Sequence, residues 1–152
     1  FNRFFKDCSN RSDVDVVNID ARRFVEDYAG EPFDYVIDDV FCEDDDGEPV
    51  RAIAFDDDWY GKVCSIMTAQ GVLVANFGDS NERAHSCLAE LDLEASAENA
   101  LVLRSTESLN EIVALTQHKA TPNAFWAALR QHKAWGSAKA RRGLTVKTRK
   151  LR

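Results

Sequence analysis

Two adjacent aspartates close a strand-forming stretch at residues 33–39, which reads FDYVIDD. Pro32 leads into this stretch, and aromatic and β-branched residues fill it, so we predict a β-strand that runs into Asp38 and Asp39. Farther along the chain, residues 72–77 read VLVANF. This almost continuous apolar run predicts a second strand, buried on both of its faces.

The segments around these two strands alternate in type. β-Branched residues predict an earlier strand, and apolar residues at helical spacing predict helices between the strands. A six-residue connection predicts that the last two strands pair antiparallel, and the acidic segment 42–50 is predicted to be a loop. The predicted fold is therefore α/β, a mostly parallel sheet with an antiparallel closing strand pair. The predicted strands cover residues 14–17, 33–37, 72–77, 100–104 and 111–116, and the predicted helices begin near residues 21, 57, 80 and 121.

Polar residues follow three of the predicted strands. Asp20 comes after the first, Asp38 and Asp39 end the second, and residues 76–79 end the third. In an open parallel α/β sheet, ligands bind outside the carboxyl ends of the strands. We therefore expect the functional groups to meet at that edge.

Charge divides the chain into two parts. Residues 1–118 hold nine basic and all 26 acidic residues, a net charge of −17, whereas residues 119–152 hold ten basic residues and no acidic one. Such a division predicts an acidic body with a basic helix and tail, partly disordered, at 119–152. No apolar run approaches the length of a membrane span, and no membrane partner is expected. The four cysteines form no CxxC pair, which favours reduced thiols and a cytoplasmic protein.

Six pieces of this sequence, taken in order, resemble the spermidine-synthase-like family of class I S-adenosylmethionine-type transferases. The resemblance implies a Rossmann-like fold, and it implies that the chain transfers a methyl or an aminopropyl group to an amine on a small molecule or protein. The implied cofactor is S-adenosylmethionine or its decarboxylated form, with no metal. The pieces are residues 19–21 (IDA), residues 33–39 (FDYVIDD), the loop with Phe41, Gly47 and Pro49, Trp59-Tyr60, residues 71–76 (GVLVAN) and residues 110–113 (NEIV).

The resemblance also assigns roles to individual residues. Asp20 matches the carboxylate that binds the adenine amino group, with the backbone of Ala21 beside it. A carboxylate suits an exocyclic amine because it only accepts hydrogen bonds. Asp39 matches the catalytic acidic residue that lies beside the sulfonium and the incoming nucleophile. There it would orient or deprotonate an amine.

Two departures from the family pattern refine the prediction. The 152 residues contain no glycine-rich turn after a first strand and no acid for the ribose. Residues 1–118 therefore resemble the carboxyl-terminal part of the transferase domain, with the first βαβ part missing. Aminopropyl-transferring members usually carry a second aspartate three positions after the first, where this chain has Cys42. This favours methyl transfer over the aminopropyl transfer of polyamine biosynthesis.

Simpler interpretations stay open for each feature. Asp20 is also a good helix N-cap, and Asp39 could be a solvated loop carboxylate. The acidic segment 43–48 does not fit an EF-hand, and the basic tail carries no nucleic-acid motif, so nucleic acid is not an expected partner. The alternative to an enzyme is a non-catalytic binding or structural module, or an incomplete fragment that cannot bind cofactor alone. Such a module could form a homodimer through an exposed sheet edge.

Overall fold

A mixed β-sheet forms the centre of the computed structural model, which describes residues 15–89, 99–105, 108–116, 121–134, 136–137 and 146–150. The sheet has the strand order β1-β4-β6-β5-β7. Strands β1 and β4 are parallel, and the other three neighbouring pairs are antiparallel. The five strands are β1 (Phe33–Asp38), β4 (Met67–Phe77), β5 (Asn99–Ser105), β6 (Glu111–Thr116) and β7 (Val146–Lys150).

A separate hairpin lies between β1 and the next helix. It consists of β2 (Phe41–Glu43) and β3 (Pro49–Arg51), which pair antiparallel. Gly47 has φ of 83° in the connecting turn, a conformation that side chains other than glycine rarely adopt. A plain loop was predicted for this segment. Its acidic residues and glycine are typical of loops, and the two strands are only three residues long.

The described residues contain four α-helices, and each follows a capping residue whose side chain accepts a hydrogen bond from the helix backbone. Asp20, Asp56, Asp79 and Thr121 are these capping residues. The helices are α1 (Ala21–Asp27), α2 (Asp57–Ser65), α3 (Ser80–Ala84) and α4 (Pro122–Gln131), with a 3-10 turn at Cys87–Ala89.

Alternate residues of the central strands form the core. On β4, Leu73, Ala75 and Phe77 face one side of the sheet and are buried there with Trp59 and Val63 of α2. The same period of two continues on β5 and β6. The core therefore lies between the sheet and its helices, on the face that α2 covers.

The α/β class and the antiparallel closing pair are confirmed, but the described sheet is mixed and not mostly parallel. β1 and β4 are the only parallel neighbours in the described sheet, because β6 inserts antiparallel between β4 and β5. The predicted helix near residue 80 is capped by Asp79 and ends at Ala84. No described helix is long and apolar enough to cross a membrane.

The strand predicted at residues 14–17 is wrong for the part that the structure describes. Residues 15–20 form no strand, and Val16 and Val17 are 58% and 62% exposed. No described strand lies beside them, and an extended segment without a partner has no hydrogen-bond ladder to stabilise it. Residue 14 lies outside the described residues.

The basic segment 119–152 contains α4 and strand β7. The predicted cap at Thr121, followed by Pro122, begins α4 as expected. Strand β7 pairs with β5 at the sheet edge opposite β1. This strand was not predicted, because a segment with several basic residues and few apolar ones resembles a solvated tail.

Candidate functional site

Three polar side chains form a hydrogen-bonded row at the carboxyl end of β1 and β4. Asp39 follows β1, and its Oδ1 accepts a hydrogen bond of 2.8 Å from Nδ2 of Asn76. The Oδ1 atom of Asn76 accepts in turn from Nδ2 of Asn110, at 3.1 Å. Asp39 is the exposed end of this row, so its carboxylate is held in place and still open to solvent.

Asn110 reaches this edge because of the sheet topology. It directly precedes β6, and β6 runs antiparallel to β4, with Ile112 opposite Asn76. The amino end of β6 therefore lies at the carboxyl end of β4. Asn110 lies in one of the family-like segments but was not predicted as a site residue, since the insertion of β6 beside β4 is not visible in local sequence patterns.

Arg51 holds the backbone of the strand end that carries Asn76. Its guanidinium donates to the backbone oxygens of Asn76, at 2.6 Å, and Ile53, at 2.8 Å. It lies 5.2 Å and 5.3 Å from the ring centres of Phe55 and Phe77. Only 5% of its side chain is exposed, so it is a structural cation that fixes the end of β4. No sequence motif indicated this role.

Asp38 and Asp39 have opposite surroundings although they are adjacent. Asp38 is 3% exposed, and its Oδ2 accepts from Arg51, at 2.6 Å, and from the indole nitrogen of Trp59, at 2.8 Å. The side chains of a strand alternate between its two faces, which turns Asp38 into the core and Asp39 outward. Of the two predicted strand-end acids, only Asp39 is therefore accessible to a ligand.

Asp20 caps α1, and Ala21 begins it. The Oδ1 atom of Asp20 accepts from the backbone nitrogen of Arg23 at 3.1 Å, and the residue is exposed. Ala21 and Asp38 both line one cavity of about 290 Å³. The start of α1 and the end of β1 therefore border the same cavity.

The acidic segment between β2 and β3 is organised by its own backbone. Oδ1 of Asp44 accepts from the backbone nitrogens of Asp46 and Glu48, both at 2.9 Å. The other carboxylates are exposed there, as is Cys42 on β2. Within the described ranges, no group of three His, Cys, Asp or Glu side chains could hold a metal ion.

A second cavity, of about 550 Å³, lies between the hairpin and α3. Arg51, Phe55 and Phe77 line its inner wall, and Asp79 and Glu82 line the wall formed by α3. Glu82 accepts from the backbone nitrogen of Gly78 at 2.6 Å, so this carboxylate fixes the turn after β4. The cavity adjoins the end of β4.

The Trp59-Tyr60 pair belongs mainly to the core. Trp59 is 4% exposed and Tyr60 is half-buried. Burial, followed by the neighbouring thiol of Cys64, raises the pKa of the Tyr60 hydroxyl above its ordinary value. This hydroxyl therefore stays protonated at neutral pH and can donate a hydrogen bond.

The fold thus brings together Asp39, Asn76 and Asn110, and Arg51 binds the backbone oxygen of Asn76. Asp20 is the cap of α1 and contacts none of these residues in the hydrogen bonds of the described chain. Asp20, Ala21 and Asp39 are the predicted site residues, and Asn76 lies in the predicted strand-end segment. Comparisons of the chain with protein-family models, with curated proteins and with solved structures found no match.

Proposed function

We propose that this chain carries the acceptor side of an S-adenosyl-sulfonium-dependent group transferase, with methyl transfer favoured over aminopropyl transfer. The observation that carries the proposal is the exposed Asp39 carboxylate, held by Asn76 at the carboxyl edge of a parallel strand pair. The proposal applies to a polypeptide that also contains a glycine-rich turn for the cofactor, since residues 1–152 contain none.

Asp39 has the properties needed by a group that orients and deprotonates an amine. The hydrogen bond from Asn76 fixes one carboxylate oxygen, and exposure leaves the group in contact with solvent and solutes. When bound, S-adenosylmethionine supplies a methyl group on a sulfonium: the amine nitrogen forms the new bond to carbon as the carbon–sulfur bond breaks and its electron pair stays on sulfur. Asp39 would accept the proton that the amine loses.

Asp20 and Ala21 fit the adenine end of the cofactor. The capping bond of Asp20 uses Oδ1 and leaves the residue exposed, so the carboxylate can accept from an exocyclic amine as well. Ala21 is small and half-buried beside the cavity that Asp38 also lines. At this position only a methyl side chain would lie beside a flat base.

Cys42 favours a methyl donor over an aminopropyl donor. It is exposed on β2, three residues after Asp39, where a second carboxylate would bind the cation of a polyamine. A thiol supplies no such charge. The carboxylates of residues 43–46 lie in the turn that Asp44 organises and would attract a cationic acceptor over longer range.

The test replaces Asp39 by asparagine in the full-length polypeptide that contains this chain. Transfer of a labelled methyl group from S-adenosylmethionine to a panel of amines should fall by about a hundredfold, the typical contribution of a positioned acid or base. Glu31→Gln, which changes an exposed carboxylate between α1 and β1, should leave the rate unchanged. Because Asp39 is exposed, circular dichroism should show the same fold for both variants. Equal rates in Asp39→Asn and the parent protein would exclude the proposed role.

A non-catalytic binding module is the second candidate. The observation that favours it is the outer side of β1, which pairs with no described strand. If the full-length protein binds neither S-adenosylmethionine nor its decarboxylated form in a calorimetric titration, the module is the better description.

A further inference from the structure

The cavity of about 550 Å³ between the hairpin β2–β3 and α3 has no role in the transferase proposal. Its described lining residues all lie between residues 49 and 86, and neither Asp20 nor Asp39 is among them. Ligand pockets in proteins have volumes of about 300–1,000 Å³, so this cavity has room for a small organic molecule. The chemistry of its walls decides which class of molecule fits.

One part of the wall is apolar. The buried rings of Phe55 and Phe77 meet edge to face, with their centroids 5.4 Å apart. The exposed residues Pro49, Val50 and Ala54 continue this apolar surface towards solvent. Such a wall favours a ligand with an apolar body, because contact between them removes apolar surface from water.

The hydrogen-bond donors of two polar wall residues are engaged within the protein. Each nitrogen of the Arg51 guanidinium donates to a protein oxygen, and the carboxylate of Asp38 is its partner at 2.6 Å. The hydroxyl of Ser86 donates to the backbone oxygen of Arg83 at 2.7 Å. An anionic ligand would therefore compete with existing partners for these donors.

The carboxylates on the wall have acceptor positions to spare. Oδ1 of Asp79 accepts two backbone N–H groups at the start of α3, and no hydrogen bond within the described ranges uses its Oδ2. Oε2 of Glu82 accepts from the backbone nitrogen of Gly78, whereas its buried Oε1 has no donor among the described residues. Nε of Arg51 lies 3.9 Å from this oxygen and donates to Ile53 instead. A carboxylate oxygen without a donor is costly to bury, so a donor supplied from the cavity would stabilise the site.

His85 adds another acceptor to the wall. Its Nδ1 lies 2.7 Å from the backbone oxygen of Asn81, and a carbonyl oxygen can only accept, so Nδ1 carries a hydrogen. In the neutral ring Nε2 is then an acceptor. The side chain is exposed and lines the cavity, which leaves it accessible to a ligand.

We propose that this cavity binds a small protonated primary amine whose apolar body packs on Phe55 and Phe77. An ammonium group has three N–H donors and no acceptor, which matches a wall with spare acceptors and engaged donors. Its charge is also favoured, because the single cation Arg51 faces the carboxylates of Asp38 and Glu82, and Asp79 adds a third negative charge. The proposal is independent of the transferase proposal, and its test uses no cofactor.

The probe is 2-phenylethylamine, titrated into the full-length polypeptide that contains this chain and followed by the NMR shifts of backbone amides. We expect saturable shifts at the amides of Ala54, Gly78 and Ser86, which line the cavity. Phenylacetate has the same ring and the opposite charge, and 1,4-diaminobutane has two ammonium groups and no ring. At these amides both should bind about tenfold or more weakly than the probe. No saturable shift with 2-phenylethylamine, or equal binding of either control compound, would overturn the proposal.

Variants of the two carboxylates test where the ammonium lies. Glu82→Gln keeps an acceptor for the N–H of Gly78 and removes the charge, so the affinity for 2-phenylethylamine should fall by about tenfold. Glu31→Gln changes an exposed carboxylate that does not line the cavity and should leave the affinity unchanged.

A second variant is needed because Glu82 also fixes the turn after β4. Asp79→Asn keeps a capping oxygen for α3, and it should lower the affinity by about threefold, since Asp79 is exposed. Circular dichroism should show the parent fold in each variant that is compared. An affinity in Asp79→Asn and Glu82→Gln equal to that of Glu31→Gln would contradict the assigned site.

Discussion

At the scale of single residues, the important distinction is between Asp38 and Asp39. The sequence places two carboxylates together at a strand end, and it correctly predicts that they terminate β1. It could not show that Asp38 is neutralised by Arg51, because 13 residues and a hairpin separate them in the chain. Asp38, which looks equivalent to Asp39 in the sequence, is the buried partner of Arg51. The exposed Asp39 remains the candidate for a chemical role.

Removal of Arg51 should destabilise the protein strongly. In Arg51→Met, Asp38 would keep a buried negative charge with no cation, and the free energy of unfolding should fall by about 3–5 kcal/mol in urea titrations. Adding Asp38→Asn to this variant should restore part of the loss, since the unpaired charge is then removed.

Arg23→Met is the matched control for Arg51→Met. Arg23 also pairs with an aspartate, Asp27, but both side chains are largely exposed. Its replacement should cost at most about 0.5 kcal/mol. Similar losses in the two arginine variants would show that Arg51 is not a buried structural cation.

Alkaline pH should weaken the fold through a buried thiol. Burial, and then the carboxylates of Asp57 and Asp56, raise the pKa of Cys87 from 9.0 to about 11. Between these values the unfolded chain loses the proton that the folded chain keeps, so the stability from the neutral thiol, complete below pH 9, falls as pH rises to about 11. Urea midpoints measured across this range should decrease.

Two cysteine variants test whether the Cys87 thiol causes this decrease in the urea midpoint. Cys87→Ala should make the dependence of the urea midpoint on pH less steep, since the titrating thiol is gone. Cys42→Ala removes an exposed thiol and should leave the slope as it is. A slope that is identical in the parent and in Cys87→Ala would contradict the assignment.

At the scale of elements, local sequence signals predicted the helix starts better than the strand partners. Asp20 and Thr121 cap α1 and α4 as predicted, because capping depends on residues within one turn. The hairpin β2–β3 and strand β7 were missed, because short strands form only when a partner lies beside them. For the same reason residues 15–17 were predicted as a strand and form none.

The cap of α2 offers a test at this scale. Oδ1 of Asp56 accepts from the backbone nitrogen of Trp59 at 2.8 Å, at the start of the helix that packs on β4. Asp56→Ala should lower the free energy of unfolding by about 1 kcal/mol, whereas Asp56→Asn, which retains a capping oxygen, should cost much less. Thermal or urea unfolding measures both, and equal losses would show that the cap contributes nothing.

At the scale of the whole molecule, the sheet positions every group of the candidate site. The parallel pair β1 and β4 brings Asp39 beside Asn76, and the antiparallel β6 adds Asn110. The α/β class of the fold could be read from alternating patterns. The strand order could not, because pairing between distant segments leaves no local periodicity.

The most direct measurement is a calorimetric titration of S-adenosylmethionine into the full-length protein that contains this chain, compared with Asp20→Ser and Asp27→Ser. Serine retains the cap of α1 but removes the carboxylate proposed to bind adenine, whereas Asp27 is exposed at the end of α1 that lies away from Asp20. We predict saturable binding that is about tenfold or more weaker in Asp20→Ser and unchanged in Asp27→Ser. No binding to the parent protein, or equal affinity in all three proteins, would contradict the proposed site.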